Sequence, residues 1–116
     1  MPIPEITVEE LAEKLKSQDR FILLDVREPA ELEQARITDA RLEAVPMSRL
    51  AGEGLDALSE SVREKDAEIY VICHHGVRSQ QVTGWLASSG WTNIHNVSGG
   101  IDAFARTIDP SIGIYY

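Results

Sequence analysis

One cysteine in 116 residues leaves Cys73 without a partner for an intrachain disulfide, a pattern suited to a reducing compartment. Basic residues are scarce as well: eleven Lys and Arg stand against nineteen Asp and Glu, a net charge of −8. That balance argues against nucleic acid or an anionic membrane as the main partner. No run approaches the roughly 20 consecutive apolar residues that cross a bilayer. The opening Met1-Pro2-Ile3-Pro4-Glu5-Ile6-Thr7 has neither the basic nor the apolar stretch of a secretory signal, so a cytoplasmic location is expected. Internal repeats, low-complexity tracts and linkers are also missing, and residues 1–116 read as one domain.

What remains is an alternation of strand-like and helix-like segments. Thr7-Val8-Glu9-Glu10 has the form of a capping box, opening a helix over residues 7–17 with Val8, Leu11, Ala12 and Leu15 on its apolar face. Residues 21–26 form a continuous apolar run of strand length, the pattern of a parallel strand buried on both faces. Pro29 then sits at the first position of a short helix through Gln34. A short strand over residues 41–46 must end at Pro46. Residues 47–64 carry helical spacing at Leu55, Leu58 and Val62, interrupted by Gly52 and Gly54. Strands over 69–73 and 93–97 flank a helix over 79–89 that turns Val82, Trp85 and Leu86 inward and stops at Gly90. A last short helix carries Ile101, Phe104 and Ala105, and the tail, residues 109–116, reads as irregular and apolar. The expected fold is α/β, with a mostly parallel sheet of about five strands and helices on both faces.

In such a sheet ligands bind beyond the carboxyl ends of the strands, and Cys73 ends one. It follows Ile69-Tyr70-Val71-Ile72 and precedes His74-His75-Gly76-Val77-Arg78-Ser79, where a helix begins. The turn gathers backbone N–H groups and the positive end of the helix dipole around the sulfur, which favours the nucleophilic thiolate. Gly76 can take a positive φ and let the backbone curl into a nest. Arg78 supplies a cation at the loop's exit. Ser79 can cap the helix or donate a hydrogen bond to the sulfur or to a bound anion. Arg20, Arg27, Arg36, Arg41 and Arg49 are further cations of the first half of the chain, candidates for the mouth of this site.

The loop Cys73-His74-His75-Gly76-Val77-Arg78-Ser79 closely resembles the Cys-x-x-Gly-x-Arg-Ser active-site loop of single-domain rhodanese-like sulfurtransferases. Leu23-Leu24-Asp25-Val26-Arg27-Glu28-Pro29 resembles that family's first signature, and Asn96-Val97-Ser98-Gly99-Gly100-Ile101-Asp102-Ala103-Phe104 its closing Gly-Gly segment. The resemblance implies a ping-pong cycle in which Cys73 takes a sulfane sulfur from a small anionic donor such as thiosulfate, carries it as a persulfide and yields it to cyanide or a thiol. It further implies Arg78 as the donor's anion-binding residue, the amides from His74 to Ser79 as cradle, and Asp25 and Arg27 as structural support. Cysteine phosphatases and arsenate reductases of similar arrangement have Cys-x5-Arg, whereas this chain has Cys-x4-Arg, a loop better sized for one extra sulfur than for a tetrahedral oxyanion. A sulfur-relay protein as partner, with this chain as carrier or binding module, is the competing class.

Metal binding is not expected and no cofactor is called for: adjacent histidines in a tight loop point apart, and His95 lies on another strand. One of His74 and His75 is expected in the pocket and the other in solvent. The chain departs from the family where many relatives read Gly-His-Ile-x-Gly-Ala: here stands Ala35-Arg36-Ile37-Thr38-Asp39-Ala40, with Arg36 a candidate substitute for the histidine. For the tail, wrapping the domain is the favoured expectation over offering a partner an apolar surface.

Overall fold

The computed structural model describes residues 3–116. Its five strands are β1 (Glu5–Ile6), β2 (Ile22–Asp25), β3 (Leu42–Ala44), β4 (Ile69–Ile72) and β5 (Ile94–Val97). They form one all-parallel sheet in the order β1-β5-β4-β2-β3. Helices α1 (Val8–Lys16), α2 (Pro29–Gln34), α3 (Met47–Glu53), α4 (Glu60–Arg63), α5 (Val77–Ser88) and α6 (Gly100–Thr107) connect them. The edge strand β1 escaped the sequence reading because two residues are too few to show a period.

Alternation along the central strands builds two cores. From β4 and the residue after it, Ile69, Val71 and Cys73 face one side with Leu50, Val62, Val82 and Leu86 of α3, α4 and α5. Tyr70 and Ile72 face the other, with Leu11 of α1 and Ile101 and Phe104 of α6. Burying each such aliphatic side chain is worth about 1.5–3 kcal/mol, which pins the register and so fixes where each strand ends. The capping box of α1 is present, Glu10 N–H donating to Thr7 Oγ1 and Thr7 N–H to Glu10 Oε1.

Three expectations need correction. Leu55 does not continue a helical apolar stripe. Gly54, at φ +62°, ends α3, and Leu55 lies in a 3-10 turn with 40% of its surface exposed. Trp85 is not core either: Val82 and Leu86 face the sheet, and Trp85 is rotated off that face, 38% exposed. Trp91 is the buried indole, its Nε1–H donating to the Val62 carbonyl at 2.7 Å. Nor does Arg36 replace the missing histidine. It is exposed, and its backbone N–H donates to Ile112 O of the tail. The tail wraps the domain, as favoured, with a 3-10 turn at Pro110–Ile112 and with Ile112 and Tyr115 packed on the second core.

Candidate active site

Cys73 follows β4 at the carboxyl edge of the sheet and is 1% exposed. Gly76 at φ +96° turns the chain back, so that the amides of Gly76 and Ser79 donate to Sγ at 3.1 and 3.3 Å. Of the expected cradle from His74 to Ser79, these two amides are the ones that reach the sulfur. Helix α5 begins at Val77, two residues before the predicted start, so Ser79 lies in its first turn with Oγ 3.2 Å from Sγ. Val77 is 64% exposed and forms the outer lip of the loop.

The loop is bolted to the start of α6. Ile101 N–H donates to Cys73 O at 2.8 Å and Asp102 N–H to His74 O at 3.0 Å, so the free donors of that helix end are used on the loop's carbonyls. The approach requires glycine: a Cβ on Gly100 would lie 2.5 Å from both carbonyl oxygens.

Asp25 and Arg27 form a buried ion pair at the end of β2, the strand paired with β4. Arg27 is fully buried. Its Nη2 lies 2.8 Å from Asp25 Oδ2, and its Nη1 donates to the carbonyls of Glu31 and Ala35. Arg78 has a different partner from the one expected. Its two terminal nitrogens grip the Glu31 carboxylate at 2.7 Å each, so a substrate anion is not met by a free guanidinium. This hydrogen-bonded pairing holds the Glu31 carboxyl down to about 2, against a smaller opposing effect of burial, and raises Arg78 in turn. Arg20, Arg41 and Arg49 stay away from the mouth. Arg20 is exposed, Arg41 binds Asp39 and carbonyls at the end of α1, and Arg49 pairs with Glu53.

The two histidines do not point apart. Their rings lie 3.9 Å from each other, and Tyr115 stacks on the other face of His74 at 3.8 Å and 8°. His74 Nε2 donates to the Tyr115 carbonyl at 2.8 Å, since a carbonyl only accepts. Tyr115 also ties the two ion pairs together: its hydroxyl donates to Glu31 Oε1 and accepts from Arg27 Nη1. One donor atom each of His74, His75 and Asp102 fall within 4.8 Å, which makes these the residues able to hold a metal ion among those described. Arg106 Nε already contacts both oxygens of Asp102, and the two imidazole planes are tilted by 34°.

Sequence reasoning gave no role to Glu31, Asn96 or Tyr115. Asn96 stands out little in the sequence, since the strand-like segment around it also holds Asn93 and His95. Glu31 and Tyr115 reach the site only through tertiary packing. Beside the loop, Met47, Leu50, Ala51, Gln81, Val82 and Trp85 line a shallow apolar groove of about 210 Å³ between α3 and α5. Among the described residues no helix is long and apolar enough to cross a membrane.

Comparison with known proteins bears on the family and the fold. The rhodanese-like domain family matches residues 7–107. A protein named sulfurtransferase from Allochromatium vinosum is 34% identical over 104 residues, 90% of each chain. The rhodanese-like/PpiC domain-containing protein 12, chloroplastic, of Arabidopsis thaliana is 38% identical over 98% of this chain, which spans 38% of that longer protein. Among solved structures, a rhodanese-like domain protein from Staphylococcus aureus superposes with a TM-score of 0.72 at 27% identity, covering 97% of this chain and 99% of that one.

Proposed function

Because the chain belongs to the rhodanese-like domain family, we propose that it is a sulfurtransferase whose Cys73 carries the transferred sulfur as a persulfide. The observation that carries this reading is the seat of Sγ: a lone cysteine at the end of a central strand, held by two backbone N–H groups at the start of α5. Fixed donors of this kind stabilise charge on sulfur without reorganising. In the first half-reaction the Cys73 thiolate attacks the outer sulfur of the donor. A Cys73 Sγ–S bond forms, the donor's S–S bond breaks, and its electron pair leaves with the sulfite or thiolate. In the second, cyanide or a thiol attacks the outer sulfur and the electron pair returns to Sγ.

Which donor and acceptor are preferred follows from the charges around the loop. Arg78 is spent on Glu31 and Arg27 on Asp25, so a small dianion such as thiosulfate meets neither guanidinium free. That supports Arg78 as a brace of the loop whose charge acts on Cys73 from a distance. It also favours a second reading, a carrier that exchanges sulfur with the thiol of a sulfur-relay protein, for which exposed Val77 and the neighbouring apolar groove offer a neutral approach. A phosphatase or arsenate reductase fits less well, because the loop's only guanidinium is turned away onto Glu31.

The test is intact mass after incubation with excess thiosulfate or, separately, a low-molecular-weight persulfide, with a Cys73→Ser control. A gain of one sulfur that cyanide removes and the variant lacks is expected, with the persulfide loading faster than thiosulfate. No gain from either donor overturns sulfur transfer; faster loading from thiosulfate overturns the carrier reading.

A further inference from the structure

The buried polar atoms behind Cys73 leave one hydrogen contested between two acceptors. Asn96, buried on β5, donates from Nδ2 to Glu5 Oε2 at 3.0 Å and to the Gly76 carbonyl at 3.3 Å. A carboxylate and a carbonyl only accept, so the amide nitrogen must face them and Oδ1 must face Ser79. Ser79 Oγ lies 2.5 Å from that Oδ1. Oδ1 also only accepts, so the single hydroxyl hydrogen of Ser79 rests on it. What Oγ turns toward Sγ, 3.2 Å away, is therefore a lone pair. A thiol satisfies that arrangement by donating its S–H to Oγ. A thiolate or a persulfide anion has nothing to donate and meets the lone pair as a repulsion.

We propose that Asn96 is a positioning residue that sets the charge state of Cys73 through the Ser79 hydroxyl. The hydroxyl hydrogen rests on Asn96 while Cys73 is a thiol, and turns onto the sulfur when Cys73 is an anion. The turn breaks one O–H···O hydrogen bond and makes one O–H···S bond. Ser79 keeps its proton throughout, and the thiol proton goes to solvent. Glu5 strengthens the hold of Asn96 by polarising the amide from its far end. Titratable and charged groups around this chain of atoms are Arg78 on α5 with its partner Glu31 on α2, His74 next to Cys73, Asp102 on α6, whose backbone N–H is bonded to His74 O, and, around Glu5, Glu10, Glu13 and Lys14 of α1 with Tyr70 and His95 of the sheet.

This rests on Cys73 working as an anion, the reading above. Alkylation by iodoacetamide reads that anion without any sulfur donor, so a failure of sulfur loading and a failure here are separate results. The alkylation rate is followed across pH for the native protein, Asn96→Ala, Asn96→Asp, Glu5→Gln, Ser79→Ala, Ser79→Ala with Asn96→Ala, and Ser79→Ala with Glu5→Gln. Asn96→Ala frees the hydroxyl, so its profile moves to lower pH and the rate on the acid limb rises about threefold or more, the factor of one net hydrogen bond. Asn96→Asp puts a carboxyl against that of Glu5, where the two share one proton, and keeps an oxygen acceptor on the Ser79 hydroxyl, so its profile stays at the native pH or moves higher. Glu5→Gln, at the exposed end of the chain and the variant least exposed to misfolding, moves it as Asn96→Ala does but by less. In the Ser79→Ala background neither Asn96→Ala nor Glu5→Gln has a further effect. Shifts of the same sign for alanine and aspartate, or effects that survive without the Ser79 hydroxyl, overturn the proposal.

Discussion

The turn after β2 and the loop after β4 end neighbouring strands at the same edge of the sheet, and they solve the crowding there in opposite ways. After β2 the space is filled by side-chain charge, Arg27 and Asp25 sealed at 0% and 1% exposure. After β4 it is filled by backbone, two N–H groups around one sulfur with glycine at the bend and glycine opposite. A sealed ion pair is rigid but inert, because desolvation commits each charge to its partner. A backbone cradle leaves its centre chemically free. The first region is thus a foundation and the second a workplace, and Glu31 joins them by accepting Arg78 from the loop while its carbonyl accepts Arg27.

The largest effect that sharpens this contrast is on the foundation. Arg27→Met leaves the Asp25 carboxylate buried without its counter-charge and the Ala35 carbonyl without its donor. Breaking one side of a buried pair costs about 3–5 kcal/mol, and urea unfolding should show a midpoint lowered accordingly. A loss below about 1 kcal/mol would mean the turn is not the support described.

The next effect falls on the workplace. Gly100→Ala places a Cβ against the Cys73 and His74 carbonyls and asks alanine to hold φ +64°. Strain of that kind is worth about 1–3 kcal/mol. Because the clash is at the loop, the alkylation rate of Cys73 should change more than global stability does. A variant that unfolds more easily yet keeps the native thiol reactivity would separate the glycine from the cradle.

The two regions also differ in how far the sequence exposes them. The loop was legible because a cysteine, a glycine and an arginine fall at fixed spacing along one stretch of chain, and because parallel α/β topology gathers strand ends at one edge. Asp25 and Arg27, two positions apart, were legible as a pair for the same reason of locality. The partner of Arg78 was not: Glu31 is 47 positions away, and only packing of α2 beside α5 brings it within 2.7 Å. The stacking of Tyr115 on His74 depends on a tail whose path has no periodicity to read. Trp85 was misplaced because helical spacing gives a face and not which of two neighbours covers it. Val82 and Leu86 took the sheet, leaving the indole beside α3.

The smallest effect tests the link between the regions, and its sign follows from the Glu31 carboxyl. Arg78 holds that group at about 2, below its ordinary 4.5, so the folded state favours the ionised form. The pairing contributes fully above about 4.5 and is lost progressively as pH falls toward 2. Glu31→Gln removes the charge at every pH. Urea stabilities of the native protein and of Glu31→Gln should therefore differ modestly at pH 7 and converge as pH falls from 4.5 to 2. The same variant releases Arg78 beside Cys73, and its thiosulfate loading should rise relative to loading from a neutral persulfide. A stability gap unchanged down to pH 2 would show that Glu31 acts through packing alone. Convergence without a gain in thiosulfate loading would mean that Arg78 stays fixed when unpaired, a brace belonging to the foundation and not to the workplace.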